Sequence, residues 1–201
     1  MKPKIKVLDL GVGNLQSVSN ALCKAGALPE ITGSPDDFDC NGIVLPGVGA
    51  FGPSRKRLDA FEKVLRQRQG EGVPLLGICL GLQLFFEASL EGGESPGLGF
   101  FKGKVVRFEG KQKIPQMGWN TLEVNSDCPL FENVESGSFA YFVHSYYAKS
   151  EKEVVASKTN YCNQDFASAV WRKNVFAVQF HPEKSGEVGL RILKNFVELC
   201  D

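Results

Sequence analysis

The stretch VPLLGICLGLQ, residues 73–83, places a buried strand directly before a helix. Residues 73–79 are almost continuously apolar, which is typical of a strand covered on both faces in a parallel sheet. The residues that follow indicate the start of a helix over 81–87. A buried strand that leads into a helix is the repeating unit of α/β proteins. The stretch therefore predicts a parallel sheet with helices packed against it.

The segments before this stretch show the same alternation. Strand patterns at residues 5–10 and 43–45 are each followed by a helical pattern, at residues 14–25 and 54–68. Asn14 is a residue type that favours the first position before a helix, because its side chain can accept a hydrogen bond from a free backbone N–H. Strands that alternate with helices predict a parallel sheet with helices on both sides.

The second half of the chain has a different pattern. A Gly-rich loop at residues 92–99 is followed by short β-type segments with hairpin-like spacing, and the chain ends with a strand at 175–180 and an amphipathic helix at 186–199. The β-type segments are residues 105–108, 139–147, 154–157 and 166–171. We therefore expect an α/β fold with an open, mostly parallel sheet, helices on both faces and a more antiparallel second half.

The composition is that of an ordinary globular protein. The chain has 201 residues, and we expect one domain over 1–201, since a domain usually has roughly 100–200 residues. The formal net charge is zero, so no overall field favours a nucleic acid or an anionic membrane. The sequence shows neither a signal peptide nor an apolar run of the ~20 residues that span a bilayer, and we expect a cytoplasmic location.

Cys79 has the setting of a nucleophile. It follows the buried strand and is flanked at two residues on either side by Gly77 and Gly81, as in the tight strand-to-helix turn called a nucleophile elbow. The start of a helix favours the thiolate, which is the reactive form of cysteine. The alternative is a buried structural cysteine between packing glycines. The other cysteines are widely spaced along the chain, and we expect them to be buried or inert thiols.

His181 is the candidate base for this nucleophile. Pro182 pushes His181 towards extended geometry, in which His181 and Glu183 point to the same side, so that the carboxylate can orient the imidazole. The other histidine, His144, lies in an aromatic segment and is interpreted as a hydrogen-bonded structural residue. The Cys pair that would complete a zinc deaminase signature is absent, and we expect neither a metal nor an organic cofactor.

Acyl transfer through Cys79 requires N–H donors for the oxyanion. The Leu80 N–H is one candidate, and the turn Pro46-Gly47-Val48-Gly49 is the other, because its glycines would let the Val48 peptide turn over. Gln83, one helical turn after Cys79, is a candidate for holding a polar substrate, although an ordinary surface glutamine is the alternative.

Two blocks, GICLGLQ at residues 77–83 and QFHPEKS at residues 179–185, resemble the class I (triad) glutamine amidotransferases. The resemblance extends over essentially the whole chain. The stretches PQMGWN (115–120) and GVGN (11–14), together with residues 46–51 and 142–147, are similar to the glutaminase subunits of imidazole glycerol phosphate synthase, a family of histidine biosynthesis.

This resemblance implies a flavodoxin-like fold and hydrolysis of the side-chain amide of L-glutamine to glutamate and ammonia. The ammonia would pass to a separate (β/α)8-barrel cyclase subunit in a heterodimer, where imidazole glycerol phosphate and an aminoimidazole carboxamide ribotide form. The implied roles are as follows: a triad of Cys79, His181 and Glu183; oxyanion donors Val48 and Leu80; glutamine-binding residues Gly49, Gln83, Ser145 and Tyr146; and cyclase-facing residues Asn14, Trp119, Tyr141 and Lys184.

Three alternatives remain open from the sequence. The first is the glutaminase of another ammonia-channelling synthase, such as that of pyridoxal phosphate synthesis, which residues 117–120 disfavour. The second is a cysteine peptidase of similar fold, which the Pro182-Glu183 pair disfavours. The third is a catalytically inactive regulatory domain, against which the intact triad argues.

Overall fold

The computed structural model describes residues 1–36, 38–125 and 127–201. The first part of the chain contains strands β1 (Lys4–Leu8), β2 (Leu28–Thr32), β3 (Gly42–Gly47) and β4 (Leu75–Cys79), with helices α1 (Leu15–Ala25), α2 (Phe51–Gly70) and α3 (Leu80–Leu84). The second part contains β5 (Phe86–Ser89), β6 (Ser95–Pro96), β7 (Phe101–Arg107), β8 (Gln116–Thr121), β9 (Glu123–Val124), β10 (Phe139–His144), β11 (Tyr146–Ser150), β12 (Val155–Tyr161), β13 (Gln164–Arg172) and β14 (Val175–Val178), then helix α4 (Gly186–Glu198).

The largest sheet in the described residues has eight strands in the order β2-β1-β3-β4-β14-β13-β12-β9. The first five are parallel to one another, and the last three continue the sheet with antiparallel pairing. With β14 counted as the fifth strand, the parallel part has the flavodoxin-like order 2-1-3-4-5. Strands β5, β6, β7 and β11 form a second sheet, and β8 pairs with β10 in a third. The expected fold class is confirmed.

The hydrophobic core lies on both faces of the large sheet. Alternate residues of a strand point to opposite faces, so Val44 and Leu76 pack on one side and Ile43 and Leu75 on the other. Helices α1 and α4 cover the first face through Val18, Leu22, Ile192 and Phe196. Helix α2 covers the second through Leu58, Phe61 and Leu65.

Helix α1 begins where the sequence predicted. The Asn14 side-chain Oδ1 accepts a hydrogen bond from the Ser17 backbone N–H at 3.1 Å, which satisfies one of the free donors of the first turn. No helix in residues 1–36, 38–125 and 127–201 is long and apolar enough to cross a membrane.

Two expectations about individual elements were wrong, and one strand, β2, was not predicted. The helix expected over residues 81–87 ends at Leu84, because Phe86 instead starts a strand paired with β7 and is fully buried there. Strand β2 carries mostly exposed residues at the sheet edge, so its sequence has no strand-like apolar pattern. The segment 139–147 is two strands in different sheets, since the chain turns at Ser145 between β10 and β11.

Candidate active site

Cys79 lies at the junction of β4 and α3 in a strained backbone conformation, with φ 54° and ψ −103°. Such a conformation persists only where the surroundings enforce it. A Cβ atom on Gly77 would lie 2.7 Å from the Gly81 carbonyl carbon, and one on Gly81 would lie 1.8 Å from the Leu45 carbonyl oxygen. The predicted elbow is therefore present, and its glycines are required by backbone packing between β3, β4 and α3.

His181 follows β14, which pairs with β4 in the sheet, and so lies beside Cys79. Its Nδ1 is 2.8 Å from Glu183 Oε1, and both side chains are only 3% exposed. Because a carboxylate only accepts at neutral pH, Nδ1 carries the proton and donates to Glu183. His181 itself is extended, with φ −103° and ψ 95°, as the sequence predicted, but Pro182–Lys184 form a 3-10 turn that brings the two residues together instead of continuing the extended segment.

The electrostatics of the site favour a protonated His181. Burial disfavours its charged form, but interaction with Cys79 and with Glu183 outweighs burial and raises the pKa of His181 to about 10. His181 Nε2 makes no hydrogen bond of regular geometry with any described residue, so we attribute the effect of Cys79 to proximity and charge. The arrangement can supply a thiolate beside an imidazolium.

A cavity of about 290 Å³ opens beside Cys79. Its volume is at the lower end of the range of about 300–1,000 Å³ for small-molecule sites. The cavity brings together all the residues predicted to surround glutamine: Val48, Gly49, Cys79, Leu80, Gln83, Ser145 and Tyr146. It is also lined by Glu91, Pro115, Val143 and His144, to which the sequence had assigned no role in binding.

Two buried carboxamides connect the wall of this cavity to the sulfur. Gln83 Nε2 donates to the Tyr146 carbonyl at 3.0 Å and to Gln179 Oε1 at 3.2 Å. Gln179 Nε2 in turn donates to Cys79 Sγ at 3.6 Å. Gln179 was part of the QFHPEKS block but received no role from the sequence. Its position two residues before His181 was the available signal, since side chains two apart share a face in extended chain.

His144 is the hydrogen-bonded structural residue that the sequence predicted. Its Nδ1 lies 2.8 Å from the Tyr146 carbonyl oxygen, and its ring packs against those of Phe108 and Phe166 at 5.3 Å each. Burial lowers the pKa of His144 to about 4, a trend that the Tyr146 hydrogen bond opposes and the neighbouring His181 reinforces. His144 is therefore neutral at pH 7, with its proton on Nδ1.

The four residues expected to face a partner lie on one side of the site. Lys184 Nζ lies 5.8 Å from the ring centroid of Tyr141, which contacts Trp119 edge-on at 6.1 Å. Asn14 and Lys184 line a second cavity of about 100 Å³, together with Val48 and His181. Trp119 is 56% exposed and, with the exposed Met117 and Phe139, forms an apolar surface that we call the β8–β10 patch.

The other cysteines lack this setting. Burial raises the pKa of Cys128 to about 11 and that of Cys200 to about 12, which keeps both thiols protonated. Burial also raises the pKa of Cys40, and Cys23 is exposed. In the part of the chain that the structure describes, no three His, Cys, Asp or Glu side chains come together as metal ligands.

A family model described as glutamine amidotransferase class-I matches residues 6–200. The chain belongs to this family. Its relatives include the imidazole glycerol phosphate synthase subunits HisH of Archaeoglobus fulgidus, 49% identical over 97% of this chain and 98% of the relative, and of Thermococcus kodakarensis, 50% identical over 97% and 100%. As expected for class-I glutamine amidotransferases, the chain is a glutamine-hydrolysing enzyme.

Solved structures show the same fold at low sequence identity. PurLQS from Thermotoga maritima superposes with a TM-score of 0.80 over 98% of this chain and 99% of the other, at 22% identity. A structure described as glutamine amidotransferase gives a TM-score of 0.77 over 98% of each chain, also at 22% identity. The mixed α/β sheet is therefore that of class-I glutamine amidotransferases.

Proposed function

We propose that this chain is the glutaminase subunit of an imidazole glycerol phosphate synthase and supplies ammonia for histidine biosynthesis. The main support is its similarity, 49–50% identical over 97% of the chain, to subunits of that name. The arrangement of Cys79 beside the hydrogen-bonded pair His181 and Glu183 supports the chemistry.

In the proposed cycle, the Cys79 thiolate attacks the Cδ carbonyl of L-glutamine, and a bond forms between Sγ and Cδ while the carbonyl electrons move to oxygen. The His181 imidazolium then gives its proton to the amide nitrogen, which leaves as ammonia. Water, deprotonated by the now neutral His181, cleaves the thioester to glutamate. Glu183 stabilises the imidazolium and fixes its tautomer throughout.

We assign the oxyanion to the backbone N–H groups of Leu80 and Val48. Leu80 is the first residue of α3, immediately after the nucleophile, and Val48 lies across the same cavity after β3. Gly49, which follows Val48, has φ +114°, a conformation that side chains rarely adopt. Removal of one oxyanion donor typically costs about 10²–10³ in rate.

The remaining lining residues suit the polar ends of glutamine. Gln83 uses its Nε2 for two protein acceptors, so its Oε1 is the atom left for the substrate. We assign Gln83, together with Gly49, Ser145 and Tyr146, to the binding of glutamine. We add Glu91, because its carboxylate lines the cavity and can pair with the substrate α-ammonium group. One of its oxygens already accepts from the Phe51 N–H at 3.0 Å, which holds it in place.

We assign the partner to a (β/α)8-barrel cyclase subunit that uses the ammonia. The β8–β10 patch supports a protein partner, since a cluster of large exposed apolar residues often marks an interface. Tyr141, Lys184 and Asn14 connect Trp119, a member of this patch, to the catalytic residues. We further infer that the chain and the cyclase subunit form a heterodimer in the cytoplasm. We also infer a single glutaminase domain over 1–201, because both core clusters pack on the large sheet.

The test is covalent labelling and glutamine hydrolysis in the complex with a cyclase subunit. Cys79→Ala should abolish glutamate release while the fold persists, and a diazo-ketone analogue of glutamine should label Cys79 in the wild type. Cys128→Ala is the matched control, a buried thiol outside the cavity, and should retain turnover. Glutamate release by folded Cys79→Ala near the wild-type rate, or dominant labelling of Cys23, would disprove the assignment.

A further inference from the structure

Gln179 is completely buried and contacts the reacting sulfur. Its backbone N–H donates to the Ser168 carbonyl at 2.8 Å, which fixes the residue beside β13. Both ends of its carboxamide are used: Nε2 reaches Cys79 Sγ, and Oε1 accepts from Gln83. The proposed cycle above assigns this residue no task.

The direction of the Gln179 carboxamide is determined by the Tyr146 carbonyl. A carbonyl only accepts hydrogen bonds, so Gln83 must turn its NH₂ group towards Tyr146. The same NH₂ group faces Gln179, which must therefore present its oxygen to Gln83 and its own NH₂ group to the sulfur. A reversed Gln179 would place two NH₂ groups against each other and an oxygen against Sγ.

His144 provides a second hydrogen bond that holds the Tyr146 carbonyl in place. Its Nδ1–H donates to the same Tyr146 carbonyl at 2.8 Å, so the carbonyl is held by two donors. The Tyr146 backbone, the two carboxamides and the sulfur thus form one connected chain of hydrogen bonds. Because Tyr146 and Gln83 both line the glutamine cavity, this chain joins the substrate wall to the nucleophile.

We propose that Gln179 is a further catalytic residue, which holds the Cys79 sulfur in the attacking position and favours its thiolate by donating a hydrogen bond from Nε2. This inference rests on the proposed function, because it concerns the same nucleophile. Hydrogen bonds to an ionised acceptor are about twice as strong as those to a neutral one, so the Nε2 donor favours the thiolate over the thiol.

A carboxamide suits this position because it does not exchange a proton with the sulfur. Gln179 keeps both its Nε2 protons when the Sγ–Cδ bond forms, and the only proton transferred to the leaving group comes from His181. A second cation at the same place would compete with His181 for the thiolate. A neutral, buried donor orients the sulfur and leaves the proton transfer to the imidazole.

The first test measures alkylation of Cys79 by iodoacetamide across a range of pH, with the product followed by peptide mass spectrometry. In Gln179→Met, which keeps the side-chain length but removes the donor, the pH midpoint of alkylation should rise by about one unit, so that alkylation at any given pH below the midpoint is about tenfold slower. Gln179→Glu should raise it further, since a carboxylate would face the thiolate.

Two controls accompany this measurement. The exposed Cys23 is an internal reference in every sample and should keep its profile. Asn195→Leu removes a different buried carboxamide, whose Nδ2 donates to the Leu130 and Glu132 carbonyls, and should lower stability without moving the Cys79 midpoint. An unchanged Cys79 midpoint in folded Gln179→Met would overturn the proposal.

A measurement on the wild type applies even if the Gln179 variants do not fold. The side-chain amide resonances of Gln179 should change with pH at the midpoint of Cys79 alkylation, and this dependence should vanish in Cys79→Ser. Gln179 amide resonances that do not change with pH at the midpoint of Cys79 alkylation would also overturn the proposal. Alkylation needs no glutamine, so its outcome does not depend on whether the chain hydrolyses glutamine. A wild-type complex that released no glutamate would instead disprove the proposed function.

Discussion

At the scale of single residues, the Glu183 carboxylate, together with Cys79, stabilises a positive charge on the deeply buried His181. Glu183→Gln preserves the shape of the side chain and removes its charge. We expect turnover to fall by about 10²–10⁴, the usual contribution of general acid–base catalysis, with a much smaller change in the Michaelis constant. Steady-state glutamate release in the complex tests this. An unchanged turnover number with a raised Michaelis constant would contradict the role.

The same substitution has a consequence for stability that depends on pH. The folded-state pKa of His181, about 10, lies above its ordinary value of 6.5. The interactions of His181 with Cys79 and Glu183 therefore contribute stability that is fully present below about pH 6.5 and is lost as the pH rises through about 10, and Glu183→Gln removes the Glu183 part of it. We expect the free energy of unfolding of Glu183→Gln to fall further below that of the wild type at about pH 6 than at about pH 10. Equal deficits in urea unfolding at both pH values would argue against a protonated His181.

At the scale of elements, the catalytic geometry depends on how closely α3 packs onto β3. A Cβ on Gly81 would lie 1.8 Å from the Leu45 carbonyl oxygen, which belongs to the backbone and cannot turn aside. Gly81→Ala should destabilise the fold by about 1–3 kcal/mol and displace the Cys79 elbow, so that turnover falls as well. Gly70→Ala, at the end of α2 with open space around it, is the matched control and should be neutral or stabilising. Urea unfolding and glutamate release together test this, and equal behaviour of the two variants would refute it.

At the scale of the whole molecule, the site is open to influence from a partner. The Val48 peptide lies between the glutamine cavity and the smaller cavity lined by Asn14 and Lys184. We expect the isolated chain to be a poor glutaminase, because the Val48 N–H can turn away from the oxyanion, and the complex to be faster by about 10²–10³. A partner can cause this change only if it binds the active conformer more tightly. Glutamate release by the chain, by the complex and by the complex with cyclase ligand measures the effect. Equal turnover in all three would leave residues 46–49 as a static oxyanion site.

A substitution in the β8–β10 patch tests the position of the partner independently, with the same measurement of glutamate release. Trp119→Ala should raise the cyclase concentration that gives half-maximal activation by at least about tenfold, because a large aromatic at an interface often contributes more than 1–2 kcal/mol. Leu28→Ala, an exposed apolar residue on the edge strand β2, is the matched control and should leave activation unchanged. Similar activation curves for the two variants would place the partner elsewhere.

The sequence by itself determined those features whose physical cause is local. The run of apolar residues before Cys79 required a strand buried on both faces, and the flanking glycines required a tight turn. Asn14 could be recognised as a cap because it bonds only three residues along the chain. The pairing of His181 with Glu183 followed from their separation of two residues, although the chain makes this contact through a 3-10 turn.

Only the tertiary structure decided the features that join distant segments. Glu91 reaches the cavity from a loop with no recognisable motif, and Gln179 meets Cys79 only because β14 lies next to β4 in the sheet. The helix after Cys79 ends at Leu84 because burial of Phe86 in a second sheet outweighs its local helical pattern. Periodicity reports which face of an element is buried, but not which element covers that face. Contacts between segments that are 100 residues apart, such as that between the Cys79 sulfur and the Gln179 carboxamide, are therefore decided by packing.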